Sequence, residues 1–209
     1  MNYDRYTFTI DDKPWNEWRG FGQHSISKDL FYFIALNFNE DNVLLELGSG
    51  RVTAVFDQMF KKVYSVEDQT RWLNRYHSNY IHSPIIPFSE SYVQSLLKAG
   101  VDYNIAWYDP ELLKEELETH NDYNFILIDG PCGIHGRYGF SKHIDIFKTD
   151  VPMIFDDVNR PEDVANYNET LKKLNKTGRI YKCSDGKMFG VVNWENLPNI
   201  DVFTDIEIS

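Results

Sequence analysis

Cysteine is scarce in this sequence, and its two copies, Cys132 and Cys183, lie far apart. They form neither a C-x-x-C pair nor a zinc-ligand pattern, which favours a reduced intracellular protein with ordinary thiols. No apolar run approaches the roughly 20 residues that a membrane span needs. The first residues, MNYDRYTFTIDDKPW, carry charges without the apolar core of a signal peptide. We therefore expect a cytoplasmic protein without membrane contacts.

Basic residues are in the minority. The chain of 209 residues has 21 Lys and Arg against 32 Asp and Glu, a formal net charge of −11 at pH 7. No run of lysine and arginine interrupts this excess, and an acidic surface repels phosphate backbones, so we expect no nucleic-acid partner. The apolar fraction of 42% is ample for the core of one domain of this length.

Short apolar runs alternate with amphipathic segments along most of the chain, which predicts an α/β sandwich with a mainly parallel sheet. The expected strands are Val43–Leu47, KKVYSVE, YNIAWYD, YNFILIDG and VPMIFDD, followed by a hairpin around Ser184, Asp185 and Gly186. Helices are expected between them, including one that Ser27 caps, one over residues 68–80, and one that ends at Gly178.

Three segments divide the chain. Residues 1–26 are rich in aromatic side chains and are expected to form an arm or lid, residues 27–196 the domain itself, and residues 197–209 an acidic tail. The aromatic side chains of the arm could cover a substrate or pack against a second subunit, so homodimer formation stays open.

An acid ends each of the expected parallel strands. The carboxyl ends of such strands meet at one edge of the sheet, where α/β proteins bind their ligands. These acids are Glu46, Glu67, Asp109, Asp129 and the pair Asp156 and Asp157. The sequence therefore predicts an acid-rich binding site at this edge.

A glycine-rich turn, Gly48-Ser49-Gly50, follows the first of these strands. It is no P-loop, because Gly50 precedes Arg51 and Val52 in place of Lys and Ser or Thr. A dinucleotide turn would have glycine at Thr53, and Glu46 would repel a pyrophosphate. Glu46 favours a cationic ligand instead. An NAD-dependent oxidoreductase and a non-catalytic cofactor-binding module remain as alternatives.

The pattern E-x-G-x-G, the acid that ends the second strand, and the final hairpin resemble class I S-adenosylmethionine-dependent methyltransferases over about residues 27–196. The resemblance implies a Rossmann-like three-layer sandwich, with a mainly parallel seven-stranded sheet and an antiparallel C-terminal hairpin strand. It also implies that S-adenosylmethionine is the cofactor. Its expected binding residues are Glu46, Gly48, Ser49, Gly50, Glu67 at the ribose, Asp68 or Asp109 near the adenine, and Asp129 facing the reaction centre.

Asp129, followed 27 residues later by Asp156 and Asp157, is similar to the acids of small-molecule O-methyltransferases of the catechol and macrocin types. This similarity implies that the three carboxylates hold a divalent ion such as Mg²⁺, and that the acceptor is an oxygen of a small molecule or sugar. The chain departs from that family at Pro131, where a base is often found. Asp129 and His135 are therefore the expected catalytic residues, with His143 as a weaker candidate base.

The segment DGPCGIHGRY also resembles a loosely defined set of methyltransferase-like domains that carry an IDGP motif. In such a loop, Arg137 would either bind an anionic acceptor or pair with a surface acid.

Overall fold

The computed structural model describes residues 9–10, 13–14, 25–102 and 105–202. The strands are β1 (Thr9–Ile10), β2 (Lys13–Pro14), β3 (Val43–Leu47), β4 (Lys62–Glu67), β5 (Asn79–His82), β6 (Ile85–Pro87), β7 (Ala106–Tyr108), β8 (Phe125–Ile128), β9 (Met153–Phe155), β10 (Gly178–Lys182) and β11 (Met188–Val192). The α-helices are α1 (Lys28–Asn37), α2 (Thr53–Met59), α3 (Glu90–Lys98), α4 (Pro110–Thr119), α5 (Gly139–Lys142) and α6 (Pro161–Leu174).

Seven strands form the central sheet in the order β10-β11-β9-β8-β3-β4-β5. The pairs from β9 to β5 are parallel, whereas β11 runs antiparallel to both of its neighbours. Helices cover both faces of the sheet. Successive residues of a strand point to opposite sides, so the buried strands contribute side chains to a core on each face. One core contains the buried side chains of α1 and α2, and the other contains those of α4, α5 and α6. The predicted mainly parallel sandwich with an antiparallel hairpin strand is confirmed.

The prediction of a helix over residues 68–80 is wrong. Turns and bends occupy residues 70–78, and β5 follows and pairs in parallel with β4. Only single-turn backbone bonds form here, such as Trp72 N to Gln69 O at 2.9 Å, and Asn74 has a left-handed φ of 56° that stops a helix.

The strand expected at YNIAWYD lies outside the central sheet. Its described part, β7, pairs antiparallel with β6 in a separate two-stranded sheet. The segment PIIPF, for which no strand is predicted from the sequence, supplies that partner, β6. A short apolar run indicates a buried strand but not the sheet to which it belongs, so β5 takes the place in the central sheet that we expected for β7.

Helix termini follow local chemistry. The hydroxyl of Ser27 accepts a hydrogen bond from Leu30 N at 3.0 Å, which confirms the predicted cap of α1. The end of α6 differs from the prediction, because Asn175 adopts the left-handed conformation that stops the helix and Gly178 begins β10.

Most of the arm predicted over residues 1–26, including Trp15, Trp18 and Phe21, lies outside the described residues, as do residues 203–209 of the tail. The part of the arm that is described contains the β1–β2 pair. Among the described helices, none combines the length and the apolarity of a membrane span.

The ends of β3 and β8 approach each other through two glycines. A Cβ on Gly130 would lie 2.6 Å from the Cα of Gly48 and 2.4 Å from the hydroxyl oxygen of Tyr108. Real Cβ atoms do not make such contacts, and Gly48 also has a left-handed φ of 92°. Glycine at both positions therefore lets the loops after the two strands meet.

Gly130→Ala is expected to lower the free energy of unfolding by about 1–3 kcal/mol, because the added methyl group overpacks the contact between the strand ends. Urea unfolding measures the loss. Gly50→Ala is the matched control: a Cβ there meets nothing within 4 Å, so its stability should stay within about 1 kcal/mol of the wild type. Equal stability of the two variants would contradict the close approach.

Candidate active site

A cavity of about 680 Å³ opens at the carboxyl ends of the parallel strands. The loops after β3, β4, β8 and β9 contribute to its wall. Sites for small ligands commonly have volumes of about 300–1,000 Å³ and lie at this edge of α/β sheets, where neighbouring strands connect in opposite directions. Here that point lies between β3 and β8.

Glu46 lies in the wall of this cavity and is almost fully buried, with an exposed fraction of 2%. Its Oε1 accepts hydrogen bonds from the hydroxyls of Thr53 at 2.7 Å and Ser65 at 2.5 Å. Burial raises the pKa of Glu46 to about 8, although both hydrogen bonds oppose this shift. Near neutral pH the carboxyl is therefore largely protonated until a cation approaches it.

The three backbone N–H groups of the glycine-rich turn are bonded within the protein. Gly48 N donates to Val66 O at 2.9 Å, Ser49 N to Glu67 Oε2 at 2.9 Å, and Gly50 N to the Thr53 hydroxyl at 3.0 Å. The turn thus differs from a phosphate-binding turn, whose N–H groups point at the ligand.

Glu67 ends β4 and lines the cavity. Its Oε1 accepts a hydrogen bond from Gln69 N at 2.7 Å, so backbone groups hold both carboxylate oxygens in place. Burial raises the pKa of Glu67, and these backbone hydrogen bonds oppose the shift.

The structure brings together most of the residues predicted for the cofactor. Glu46, Gly48, Ser49, Gly50, Glu67, Asp68 and Asp129 all line the cavity. Asp109 does not, and its carboxylate instead caps α4 by accepting from Glu111 N at 3.1 Å and Leu112 N at 3.3 Å. Asp109 follows β7, which is not part of the central sheet, so the structure does not bring it together with the other residues predicted for the cofactor.

The predicted metal ligands also lie together. Asp129, Asp156 and Asp157 offer oxygen atoms that all lie within 4.8 Å of one another. Asp163, from the first turn of α6, adjoins them and completes what we call the acid cluster (Asp129, Asp156, Asp157 and Asp163).

Three basic side chains, the basic trio (Arg137, Arg160 and Lys187), contact the acid cluster. Arg137 is buried, and its Nη2 lies 2.9 Å from Asp129 Oδ1 and 3.3 Å from Asp157 Oδ2. The Nη1 of the same guanidinium donates to the backbone oxygen of Asp156 at 3.2 Å. A buried guanidinium thus bridges the ends of β8 and β9.

Arg160 and Lys187 bind the cluster from its other sides. Arg160 lies 2.7 Å from Asp157 and 2.6 Å from Asp163. Lys187 Nζ lies 3.1 Å from Asp157 Oδ1 and 3.6 Å from Asp156 Oδ2.

Burial and charge move the pKa values of the acid cluster in different directions. Burial raises the pKa of Asp129 to about 6, although the Arg137 guanidinium opposes it. Burial, and then repulsion by its acidic neighbours, raises the pKa of Asp156 well above its usual range. Burial also acts to raise the pKa of Asp157, but the basic trio holds it below its ordinary value.

The arrangement of donors does not fit the implied divalent ion. Mg²⁺ needs carboxylate oxygens at about 2.0–2.1 Å that are free to coordinate it. Here a guanidinium lies between Asp129 and Asp157, and Lys187 lies between Asp156 and Asp157. Asp129, Asp156 and Asp157 thus each lie in an ion pair within the protein, although neither side-chain oxygen of Asp156 has a hydrogen-bond partner among the described residues. No catalytic step is derived through a metal.

Neither predicted histidine base lies in the wall of the cavity. The described contacts of His135 include its backbone oxygen accepting from Ile105 N at 3.1 Å, and its N–H donating to Cys132 O at 2.9 Å. His143 stacks on Trp107, with ring centroids 5.5 Å apart, and burial lowers its pKa. Asp129 is thus the predicted catalytic residue that the structure places at the cavity.

Sequence reasoning missed Arg160, Lys187 and Trp72, which all line the cavity. Lys187 follows the hairpin turn and lies 30 residues from Asp157 in the sequence, so no local motif marks it. Trp72 stands in the segment misread as a helix. For Arg137, we expected contact either with an anionic acceptor or with a surface acid. The structure shows ion pairs with Asp129 and Asp157, which lie at the cavity and not on the outer surface.

No protein-family model matches the sequence, and no curated protein is detectably similar to it. Among solved structures, precorrin-6y C5,15-methyltransferase from Geobacter metallireducens GS-15 is similar with a TM-score of 0.51 and 14% identity, over 91% of this chain and 99% of that chain. A ribosomal protein L11 methylase from Lactobacillus delbrueckii subsp. bulgaricus has a TM-score of 0.49 and 13% identity, over 82% and 79% of the two chains.

The MycE methyltransferase of the mycinamycin biosynthetic pathway, in complex with Mg and SAH, has a TM-score of 0.48 and 12% identity, over 81% of this chain and 50% of that one. At these identities a likeness shows the fold alone. The match to the precorrin-6y enzyme therefore shows that this chain has the Rossmann-like fold of a known methyltransferase.

Proposed function

We propose that this protein is an S-adenosylmethionine-dependent methyltransferase. The observation that carries the proposal is the convergence of Glu46, Glu67 and the Gly48-Ser49-Gly50 turn on one cavity, at the point of the fold where ligands bind. S-adenosylmethionine is cationic at its sulfonium and ammonium groups and carries a ribose whose hydroxyls an acid can hold. Two carboxylates in one wall suit that chemistry.

The hydrogen bonds of the turn favour this cofactor over NAD. A pyrophosphate needs free N–H groups, but those of Gly48, Ser49 and Gly50 already donate to acceptors within the protein. The buried Glu46, largely protonated near neutral pH, is stabilised in its ionised form by a cationic ligand and not by an anionic one. An anionic cofactor would therefore find neither free donors among these three N–H groups nor a favourable charge at Glu46.

The wall beyond Glu67 suits the adenosine part of the cofactor. Asp68, Arg71 and Trp72 line it, and the indole of Trp72 is partly buried. We propose that Glu67 accepts hydrogen bonds from the ribose hydroxyls, and that Trp72 stacks on the adenine. Asp68 remains the predicted acid near that ring.

We further propose that the acceptor is an oxygen of a small molecule or sugar. Asp129 lies at the end of β8 with 23% of its side chain exposed. In the reaction, an acceptor oxygen attacks the methyl carbon in line, the carbon–sulfur bond breaks, and its electron pair stays on sulfur. Asp129 would orient the acceptor hydroxyl and take up its proton. The net charge of −11 supports an uncharged or cationic acceptor over a nucleic acid.

Titration calorimetry with S-adenosylhomocysteine, with NAD⁺ in parallel, tests the cofactor. We expect micromolar binding of S-adenosylhomocysteine and none of NAD⁺. Binding of NAD⁺ alone would refute the proposal.

Glu67→Ala is expected to weaken S-adenosylhomocysteine binding at least tenfold, because the variant loses both the ribose contact and the anchor of Ser49 N and Gln69 N. Glu115→Ala removes an exposed acid of α4 and serves as the control, with unchanged affinity expected. An unchanged affinity in Glu67→Ala would place the cofactor elsewhere.

A further inference from the structure

Lys187 occupies a central position beside the acid cluster. It belongs to the turn before β11, which returns the chain to the cavity wall. Its ammonium donates to Ser25 O at 2.7 Å, ahead of α1, and contacts Asp157 and Asp156. Its position is thus set by contacts with two separate parts of the chain, one ahead of α1 and one after β9.

Lys187 and Arg137 together form ion pairs with all three candidate metal ligands. Arg137 bridges Asp129 and Asp157, and Lys187 bridges Asp157 and Asp156. Each of the three carboxylates that could hold an ion therefore already faces a cation. With Arg160, three basic side chains stand against the four acids of the cluster, so the charge that would attract a divalent ion is largely neutralised, and an entering ion would have to displace an ammonium or a guanidinium group.

We propose that Lys187 and Arg137 stand in place of a divalent metal, and that methyl transfer by this protein is metal-independent. This inference rests on the proposed function. It has a consequence for the acceptor, because a metal commonly binds a substrate through two neighbouring oxygens. With fixed ammonium and guanidinium groups instead, a single acceptor oxygen suffices, and no catechol or vicinal diol is required.

Lys187 is the residue to substitute, because it contacts the acid cluster but lies in a different segment, just before β11, from the loops and helix that carry the acids. Lys187→Met keeps the length of the side chain and deletes its charge. Two basic groups then remain for four acids, and the oxygens of Asp156 and Asp157 that faced Lys187 become available. The variant is expected to gain a site for a divalent ion.

Titration of the full chain with Mn²⁺, followed by the electron paramagnetic resonance of the free ion, measures that gain. The wild type should bind no Mn²⁺ at the acid cluster, and Lys187→Met should bind at least tenfold more tightly. Asp157→Asn in the Lys187→Met background should abolish the new site, and asparagine tolerates the left-handed φ of 59° at this position. Lys182→Met, an exposed lysine of the same hairpin, is the control.

Binding of Mn²⁺ to the wild type that Asp157→Asn removes would overturn the inference. So would the failure of folded Lys187→Met to gain a site, since Lys187 would then not be what excludes the ion. If Lys187→Met does not fold, the wild-type titration decides alone. Calorimetry with S-adenosylhomocysteine on the same wild-type sample keeps the two proposals apart, because absent cofactor binding refutes the methyltransferase without touching the metal result.

Discussion

Glu46→Gln is expected to stabilise the ligand-free protein at pH 8 while leaving its stability near pH 5 little changed. Burial raises the pKa of Glu46 from 4.5 to about 8 on folding, so the folded state holds a proton that the unfolded chain releases. The resulting stability is fully present below pH 4.5 and is lost as the pH rises towards 8. At about 1.4 kcal/mol per pKa unit, the loss between pH 5 and pH 8 is roughly 3 kcal/mol.

Glutamine has the same shape and can still accept from Thr53 and Ser65, but it does not ionise. Urea unfolding at several pH values should therefore show the advantage of Glu46→Gln growing as the pH rises. Glu115→Gln, at an exposed site of α4, should follow the wild type throughout. If the curves for Glu46→Gln and the wild type run parallel, Glu46 does not carry its proton in the folded state.

The same protonated carboxyl gives a signature of the bound cofactor. A cationic ligand favours the ionised form of Glu46, so binding at pH 7 should release a proton from it. Calorimetry in buffers with different ionisation enthalpies detects that release, which should be absent in Glu46→Gln. Proton release that persists unchanged in the variant would have to come from another group.

The sequence predicts the central sheet well where strands are apolar and bounded by turn residues, as in Val43–Leu47 and the final hairpin. It fails over residues 68–80, because β5 is short and lies at the edge of the sheet. Few of its side chains are buried there, so its sequence shows little alternation of apolar residues. It also misplaces β7, since the partner of a strand is decided by tertiary packing rather than by the strand itself.

The candidate site likewise has one part that the sequence predicts and another that it does not. Glu46 and the glycine turn lie within one strand and its following loop, so their spacing in the sequence predicts their proximity in space. Lys187 reaches Asp157 only because the hairpin folds back along the sheet. The pKa of Glu46 was equally hidden, since it depends on packing around the side chain and not on its neighbours in the chain.

Arg137→Met is expected to cost about 3–5 kcal/mol of stability, the usual loss when one partner of a buried ion pair is removed. Arg137 is 4% exposed and contacts Asp129 and Asp157, so its removal leaves Asp129 without this ion pair, while Asp157 keeps Arg160 and Lys187. Urea unfolding near neutral pH measures the loss. Lys172→Met, which removes an exposed lysine 3.7 Å from Glu169, should change stability by less than about 1 kcal/mol.

Two further variants separate charge from geometry. Arg137→Lys keeps the charge, but a single ammonium cannot bridge Asp129 and Asp157 while also donating to the backbone oxygen of Asp156, so it should recover only part of the loss. Adding Asp129→Asn to Arg137→Met removes the carboxylate that has lost its ion pair with Arg137 and should restore some of the stability. If the effects of the two substitutions on the free energy of unfolding are additive, Arg137 stabilises the protein through packing alone and not through its charge.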